Sequence, residues 1–448
     1  MMNVKEILFM PFRPLRRLLK WSFIAMLGLT VLAAGAYGMY KVLSMWTYET
    51  DLMEHDKPYG GGDMRVRDRQ VMVFKPIGPE LKPKPFSEWK NPEVAEMAEP
   101  WMNDIAEQLN RHTVRLLRGD MDQGIRRIFE KPGQNGAWWL SPDWKTIYVS
   151  TEWTNYHLPS GSDGYGQRLS TLWKSVDGGQ SWRQMPWPER TPAGQPLFMP
   201  DAKRGYLVAD GMRIWRTLDG GEHWDAIPLP AWTNQQLTGH PSGNGLLPMI
   251  KSSRATFSAF DLAEDGTLRV AFYVRQAKLA AGIGEVKEST LLYSLPFAAS
   301  QEELARKWMQ PDIVLPRQSA MDIKPARDGG LHLIVLQGQL PSEKEVNTPR
   351  RIAAYAHWKD GKEDYRHAFE PHVIPGALFI GPHDQLVLAG DSKKPDQTMS
   401  DSITLVSTDK GRHWDETDDG MAYAWYYEQA KNRIWKYQLH SLYWRELK

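Results

Sequence analysis

One eight-residue pattern occurs three times in the chain and constrains its fold more tightly than any bulk property. It reads S/T-x-D-x-G-x-x-W, with Ser175, Asp177, Gly179 and Trp182 in the first copy. Thr217, Asp219, Gly221 and Trp224 fill the second, and Ser407, Asp409, Gly411 and Trp414 the third. A strand-like run precedes each window. The chemistry is that of a chain reversal: the hydroxyl and carboxylate bond the loop's own backbone, glycine takes a positive φ, and the tryptophan opens the return strand and buries its ring. The windows therefore predict hairpins.

A fainter repeat agrees. A turn followed by an alternating strand recurs at Asp143, Asp201, Asp265, Asp328, Asp384 and Lys431-Asn432, at intervals of about 47 to 64 residues. A period of that size, with two hairpins per unit, fits four-stranded blades set around an axis. The expectation is an all-β, six-bladed propeller over residues 113–448, with Thr113–Arg118 or Ile125–Glu130 closing the ring so that no edge stays bare.

The windows resemble the Asp-box, or BNR, repeat family found in sialidases, sortilin-type receptors and photosystem II assembly factors. That resemblance implies a sialidase-like propeller in which the boxes are structural turns on the face away from any active site, so their aspartates are not catalytic. Related sialidases use three arginines, a Tyr–Glu nucleophile pair and an acid/base Asp, marked by an F/Y-R-I-P stretch. The chain lacks that stretch, and no catalytic residue is carried over.

Ahead of the repeats, Trp21 to Tyr40 is twenty residues without a charge, long enough to cross a bilayer. Lys5, Arg13, Arg16, Arg17 and Lys20 precede it against a single Glu6, which predicts a cytoplasmic N-terminus. The expectation is a basic tail at 1–20, an anchor at 21–46, and a tether with a proline-rich spacer and short helices at 47–112. The propeller then lies in the periplasm of a bacterial inner-membrane, single-pass protein. Ala34-Gly35-Ala36 offers the rival reading of a cleaved signal peptide.

Composition removes several functions. With 55 Lys+Arg against 54 Asp+Glu, the net charge of +1 gives no electrostatic case for nucleic acid. The absence of cysteine rules out disulfides, thiol nucleophiles and cysteine-ligated metals. Neither a cofactor nor a metal site is expected. What remains is binding. Loops longer than a hairpin needs fall near 153–168, 276–288, 340–350 and 393–401, on the face opposite the windows. Trp153, Tyr156, His157 and Tyr165 make the first the best contact surface, because aromatics bury much area at low rotamer cost. The expected function is binding a protein of the cell envelope, as an assembly or maturation factor or as an immunity-type inhibitor of a toxin. A membrane-bound glycosidase and a glycan-binding module are the alternatives.

Overall fold

The computed structural model describes residues 47–51, 63–77, 112–120, 124–155, 167–188, 194–209, 213–229, 250–280, 283–337, 352–393, 401–420, 422, 424–438 and 441–447. These form seven four-stranded antiparallel sheets. Blade 1 comprises Asp63–Arg67, Gln70–Ile77, Thr113–Asp120 and Gly124–Pro132. Blade 2 comprises Asn135–Leu140, Ile147–Asn155, Gln167–Ser175 and Arg183–Met185. Blade 3 comprises Gly194–Phe198, Gly205–Ala209, Arg213–Thr217 and Asp225–Ala226. Blade 4 is built from Ile250–Leu262, Leu268–Ala280, Ile283–Leu295 and Ile313–Pro316. Blade 5 follows with Gln318–Pro325, Leu331–Gln337, Ile352–Lys359 and Lys362–Ala368. Blade 6 has Val373–Ile380, Leu386–Ser392, Asp401–Ser407 and Asp415–Gly420. Blade 7 takes Ala424–Glu428, Arg433–Gln438 and Ser441–Glu446, and its fourth strand is Thr47–Asp51 from the other end of the chain.

The first strands of blades 2 and 3, 4 and 5, 5 and 6, and 7 and 1 pack on one another. They line the common axis, and the fourth strands form the rim. Because each sheet is covered on both faces by neighbours, central strands lose the in–out alternation of a half-exposed sheet. All five residues of Gly205–Ala209 are buried. The cores lie between blades. Tyr148 of blade 2 stacks on Phe198 of blade 3 with ring centroids 3.8 Å apart. Tyr206 of blade 3 joins Phe272, Tyr293, Phe297 and Trp308 of blade 4. Met64, Val66 and Val71 of blade 1 meet Trp435, Tyr437 and Leu442 of blade 7.

The blade count corrects the expectation of six. All six turns read from the sequence are present, each between the first and second strands of blades 2 to 7. The seventh is blade 1. Its equivalent turn is at Asp68, with φ of 54°, and its second and third strands are separated by 78–111, outside the described residues. That long proline-rich interruption breaks the period and makes the region read as a spacer. Residues 47–51 and 63–77 are propeller strands instead. Thr113–Asp120 and Gly124–Pro132 do not close the ring; they are the third and fourth strands of blade 1. Among the described residues no helix is long and apolar enough to cross a membrane. The expected anchor, 21–46, lies outside the described residues. The placement as a single-pass inner-membrane protein with a periplasmic propeller is corrected on this finding.

Closure by Thr47–Asp51 covers the outer edge of Ser441–Glu446, with Thr47 opposite Trp444 and Asp51 opposite Ser441. Deleting 47–51 is expected to lower the thermal midpoint and to cause concentration-dependent association through the bared edge, read by light scattering. Unchanged melting and scattering would show that the ring does not need this strand.

Candidate functional site

The three windows are the turns between third and fourth strands of blades 2, 3 and 6, and their polar groups satisfy one another. The amide N–H groups of Gly179, Gly221 and Gly411 donate to the hydroxyls of Ser175, Thr217 and Ser407 at 2.8, 2.9 and 2.7 Å. Those hydroxyls donate in turn to Asp177, Asp219 and Asp409 at 2.8, 2.9 and 2.9 Å. Each carboxylate also accepts two backbone N–H bonds, such as those from Gln180 and Ser181, both 2.9 Å, to Asp177. A third side chain completes each set: Ser181 Oγ at 2.5 Å, His223 Nδ1 at 2.6 Å and His413 Nδ1 at 2.5 Å. The Ser181 hydroxyl and the backbone amides hold Asp177 well below the usual carboxylate range. Burial works against Asp219, yet the His223 amide and ring hold it at about 2. Asp409 is lowered in the same way by His413, again against its burial. Both oxygens of each of these carboxylates accept at least one hydrogen bond from the turn itself.

The windows also fasten one blade to the next. The residue between the Asp and the Gly takes a positive φ, 71° at Gly178, 72° at Gly220 and 65° at Lys410, which turns its carbonyl toward the preceding blade. Arg118 of blade 1 donates to Gly178 O at 2.8 Å. Tyr148 Oη of blade 2 stands 2.9 Å from Gly220 O and 3.0 Å from Ala202 O, and Lys174 Nζ lies 3.2 Å from Gly220 O. Tyr355 of blade 5 donates to Lys410 O at 3.1 Å. The tryptophans reach back in the same direction: Trp182 Nε1 donates to Ile128 O at 2.8 Å and Trp224 Nε1 to Pro186 O at 3.3 Å. Trp414 packs edge-on against Tyr355 and Phe369, each at 5.4 Å.

Blade 4 has no window but repeats both contacts. A helix over Gln301–Lys307, started by a reciprocal Ser300–Glu303 cap, replaces its outer turn. Trp308 Nε1 donates to Pro228 O at 2.5 Å, and Arg216 of blade 3 donates to Phe297 O and Ala299 O at 2.6 and 2.8 Å. Sequence reasoning missed Arg118, Lys174, Arg216, Tyr355 and Trp308. A polar residue just inside the end of the third strand was the available signal for the first three.

Nearer the axis, Lys324 of blade 5 lies 3.4 Å from both Asp322 and Asp261, the latter on blade 4. Arg269 is 3.4 Å from Asp261 on its other side. Asp322 accepts the Leu378 N–H of blade 6 at 2.8 Å. Burial opposes the charge on Lys324, but the two carboxylates outweigh it and raise its pKa. This cluster ties three inner strands together.

Between blades 5 and 6 sits a buried aromatic group. Tyr355 has one proton and gives it to Lys410 O, so His332 Nδ1, 2.6 Å away, must donate to Tyr355 Oη. His332 therefore carries its proton on Nδ1, and its bare Nε2 is buried without a partner. Protonating Nε2 would bury an unpaired cation. Burial, then the neighbouring His357, pushes His332 down to about 4. His357 lies between Asp364 at 3.2 Å and Asp328 at 3.4 Å. Among the described residues no group of three or more His, Cys, Asp or Glu is placed to hold a metal ion.

Of the residues predicted for partner binding, Trp153 falls on the second strand of blade 2, opposite Leu169. Tyr156, His157 and Tyr165 lie outside the described residues. The 276–288 stretch is no loop: it continues a hairpin that pairs without a break from Leu268–Leu295 to Ala280–Ile283. Concavities on the window side include two among the described residues. One of about 540 Å³ lies between blades 1 and 2, lined by Arg67, Arg118, Lys145, Asp143 and Asp177. The other, about 790 Å³, lies beside the blade 4 helix at Glu303, Arg306 and Asp312.

No protein-family model matches the chain, and no curated protein matches it. The likeness to Asp-box proteins therefore rests on the windows. Among solved structures, the chain is similar to YCF48 bound to a D1 peptide, at 13% identity and a TM-score of 0.45, over 90% of this chain and 97% of that one. It is similar to YCF48 from Cyanidioschyzon merolae at 11% identity and a TM-score of 0.40, over 75% and 92%. A GH74 xyloglucanase from Xanthomonas campestris gives 13% and 0.44, over 77% of this chain and 51% of that one.

Two predictions follow the geometry. A methyl group on Gly411, whose φ is +94°, would stand 2.2 Å from Tyr355 Cε1, whereas one on Gly361, φ +75°, would meet nothing within 4 Å. Gly411→Ala should cost about 3 kcal/mol or more and Gly361→Ala about 1 kcal/mol in urea unfolding. For His332, the unfolded chain binds a proton near 6.5 and the folded chain only near 4. Between those values the unfolded state holds more protons, so this contribution is complete above pH 6.5 and declines as the pH falls toward 4, by roughly 3 kcal/mol at most. His332→Asn, whose amide can still donate to Tyr355, should flatten that slope; an unaltered slope would place its origin elsewhere.

Proposed function

We propose that the chain is a protein-binding propeller whose contact surface is the face opposite the windows. The observation that carries this is blade 4. Its first three strands are each 13 residues long, against five to nine for the second strands of the other blades. Its fourth strand covers only Ser289–Leu292 of the third. Residues 250–254, 275–280 and 283–288 therefore run on past the end of that strand, as a three-stranded arm about 20 Å long at 3.3 Å per residue. The second strand begins after the Asp265 turn on the window face, so the arm rises from the other face. Ordering such an arm costs conformational entropy beyond what a four-stranded blade needs, which favours a segment kept for contact.

The window face supports the same division by contrast: its carboxylates bond their own turns, and its carbonyls and indoles fasten blades. In this reading Trp153, Tyr156, His157 and Tyr165 of the 153–168 segment belong to the same surface and supply aromatic anchors. The partner is a protein held by a rigid rim, as an assembly factor or a toxin-neutralising inhibitor would hold it.

Photo-crosslinkers placed in the living host test this. Positions 251, 278, 156 and 165 should give a discrete adduct with another protein, and Val176 and Leu218, 62% and 61% exposed on the window face, should not. Adducts confined to Val176 and Leu218 would overturn the assignment of faces. Replacing 276–287 by Asn-Gly should abolish the adducts from 156 and 165 while leaving the melting midpoint within a few degrees.

A further inference from the structure

The lane of the fourth strand in blade 4 is filled only part of the way. In a strand, the N–H and C=O of one residue point to the same edge, and those of its neighbours to the other. On Ile283–Leu295, the Leu292 carbonyl accepts from Asp312 N–H at 2.9 Å and the Glu288 carbonyl from Arg317 N–H at 2.8 Å. Even-numbered residues thus address the outer edge. The fourth strand ends at Pro316, and Arg317, with a φ of 58°, leads into the first strand of blade 5 at Gln318. Beyond Glu288 the lane continues past Val286 and Gly284, whose amides and carbonyls aim outward. Among the described residues no strand pairs with them on that side. Such an edge is normally covered, bulged or paired.

Gly284 is a second, independent observation. The pairing of Leu268–Ala280 with Ile283–Leu295 runs without a register shift, so this glycine marks no bulge. Glycine inside a strand weakens it, and one reason to hold it there is the close approach of another backbone.

We propose that the bound protein pairs an extended segment of its own with Gly284 and Val286, adding a strand to the arm in line with Ile313–Pro316. In antiparallel pairing each outward residue exchanges both backbone bonds with the residue opposite, so the two make about four hydrogen bonds in all. The residues facing them are not proline, since each must give an N–H. Recognition at this edge is of extended backbone, and so selects conformation before side chain. The added strand stops short of Glu288, because Arg317 N–H already holds that carbonyl. The same obstacle argues against a second copy as the occupant: setting Gly284 opposite Val286 in both directions would run each tip toward the other chain's Glu288. The inference rests on the reading of the arm as a contact segment, and adds the form in which the partner meets it.

Photo-crosslinking in the living host tests this, with the reporter at position 165, between the second and third strands of blade 2. Val286→Pro takes away an outward N–H and no hydrogen bond of the hairpin, because that N–H points away from Ala277 opposite. It should cut the adduct yield about tenfold, with the melting midpoint held within a few degrees. An ester in place of the Val286 amide removes the same donor without restraining φ, and should also lower the yield. Hydrogen exchange read by mass spectrometry should show the amides of Gly284 and Val286 exchanging fast in the free chain and slowly in the crosslinked complex. Wild-type yields from both variants, or unprotected amides in the complex, would overturn the edge pairing and leave the choice of contact face standing. No adduct from positions 251, 278, 156 and 165 of the otherwise unaltered chain would overturn both. An adduct made of two copies of this chain would overturn the pairing with another protein.

Discussion

The structure depends on one repeated contact: a carbonyl in an outer turn, rotated backward by a left-handed residue, accepts a hydrogen bond from the blade before it. Gly178, Gly220 and Lys410 supply the carbonyl, and Arg118, Tyr148 with Lys174, and Tyr355 supply the donors. Apolar packing between blades is strong but tolerates sliding, since aromatic and aliphatic side chains gain comparable energy over a range of offsets. A hydrogen bond falls off steeply with distance and angle. At these junctions the outer turns thereby set the angle at which one blade meets the next, and the tryptophans reach back to seal them.

Blade 4 shows that the contact matters more than the motif. Its turn has no S/T-x-D-x-G-x-x-W window and is instead a capped helix, yet Trp308 and Arg216 reproduce both the indole and the cationic donor. Two unrelated local structures satisfy the same requirement at the same place. This argues that the requirement is geometric, imposed by a ring of seven sheets, rather than a property of the sequence window.

Much of this was legible in the residues alone. The three windows, with their Ser/Thr, Asp, Gly and Trp, marked hairpins, and the six acidic or Asn turns marked the first hairpin of six blades, because turn chemistry is local. Blade 1 was not legible, since residues 78–111 separate its second and third strands and Pro76 sits inside a strand that elsewhere would be free of proline. The closing strand, Thr47–Asp51, is five residues of ordinary composition whose partner lies almost 400 positions away, and no local signal announces such a pairing. Arg118 was not legible, because its partner, Gly178 O, is a backbone atom that sequence does not label. The arm at 276–288 looked like a loop, since alternating polar and apolar residues with Gly282 and Gly284 fit either reading. The binding loop at 153–168 was picked for its aromatics, and of those only Trp153 falls among the described residues.

Joining Thr47–Asp51 to Ser441–Glu446 has a consequence for how the molecule comes into being. Thr47–Asp51 cannot find its place until Ser441–Glu446, made almost 400 residues later, has left the ribosome. Until then the blades between them can form only an open arc. A polypeptide cut short before Ser441 would leave Thr47–Asp51 without its partner strand, so closure of the disc waits on residues 441–446.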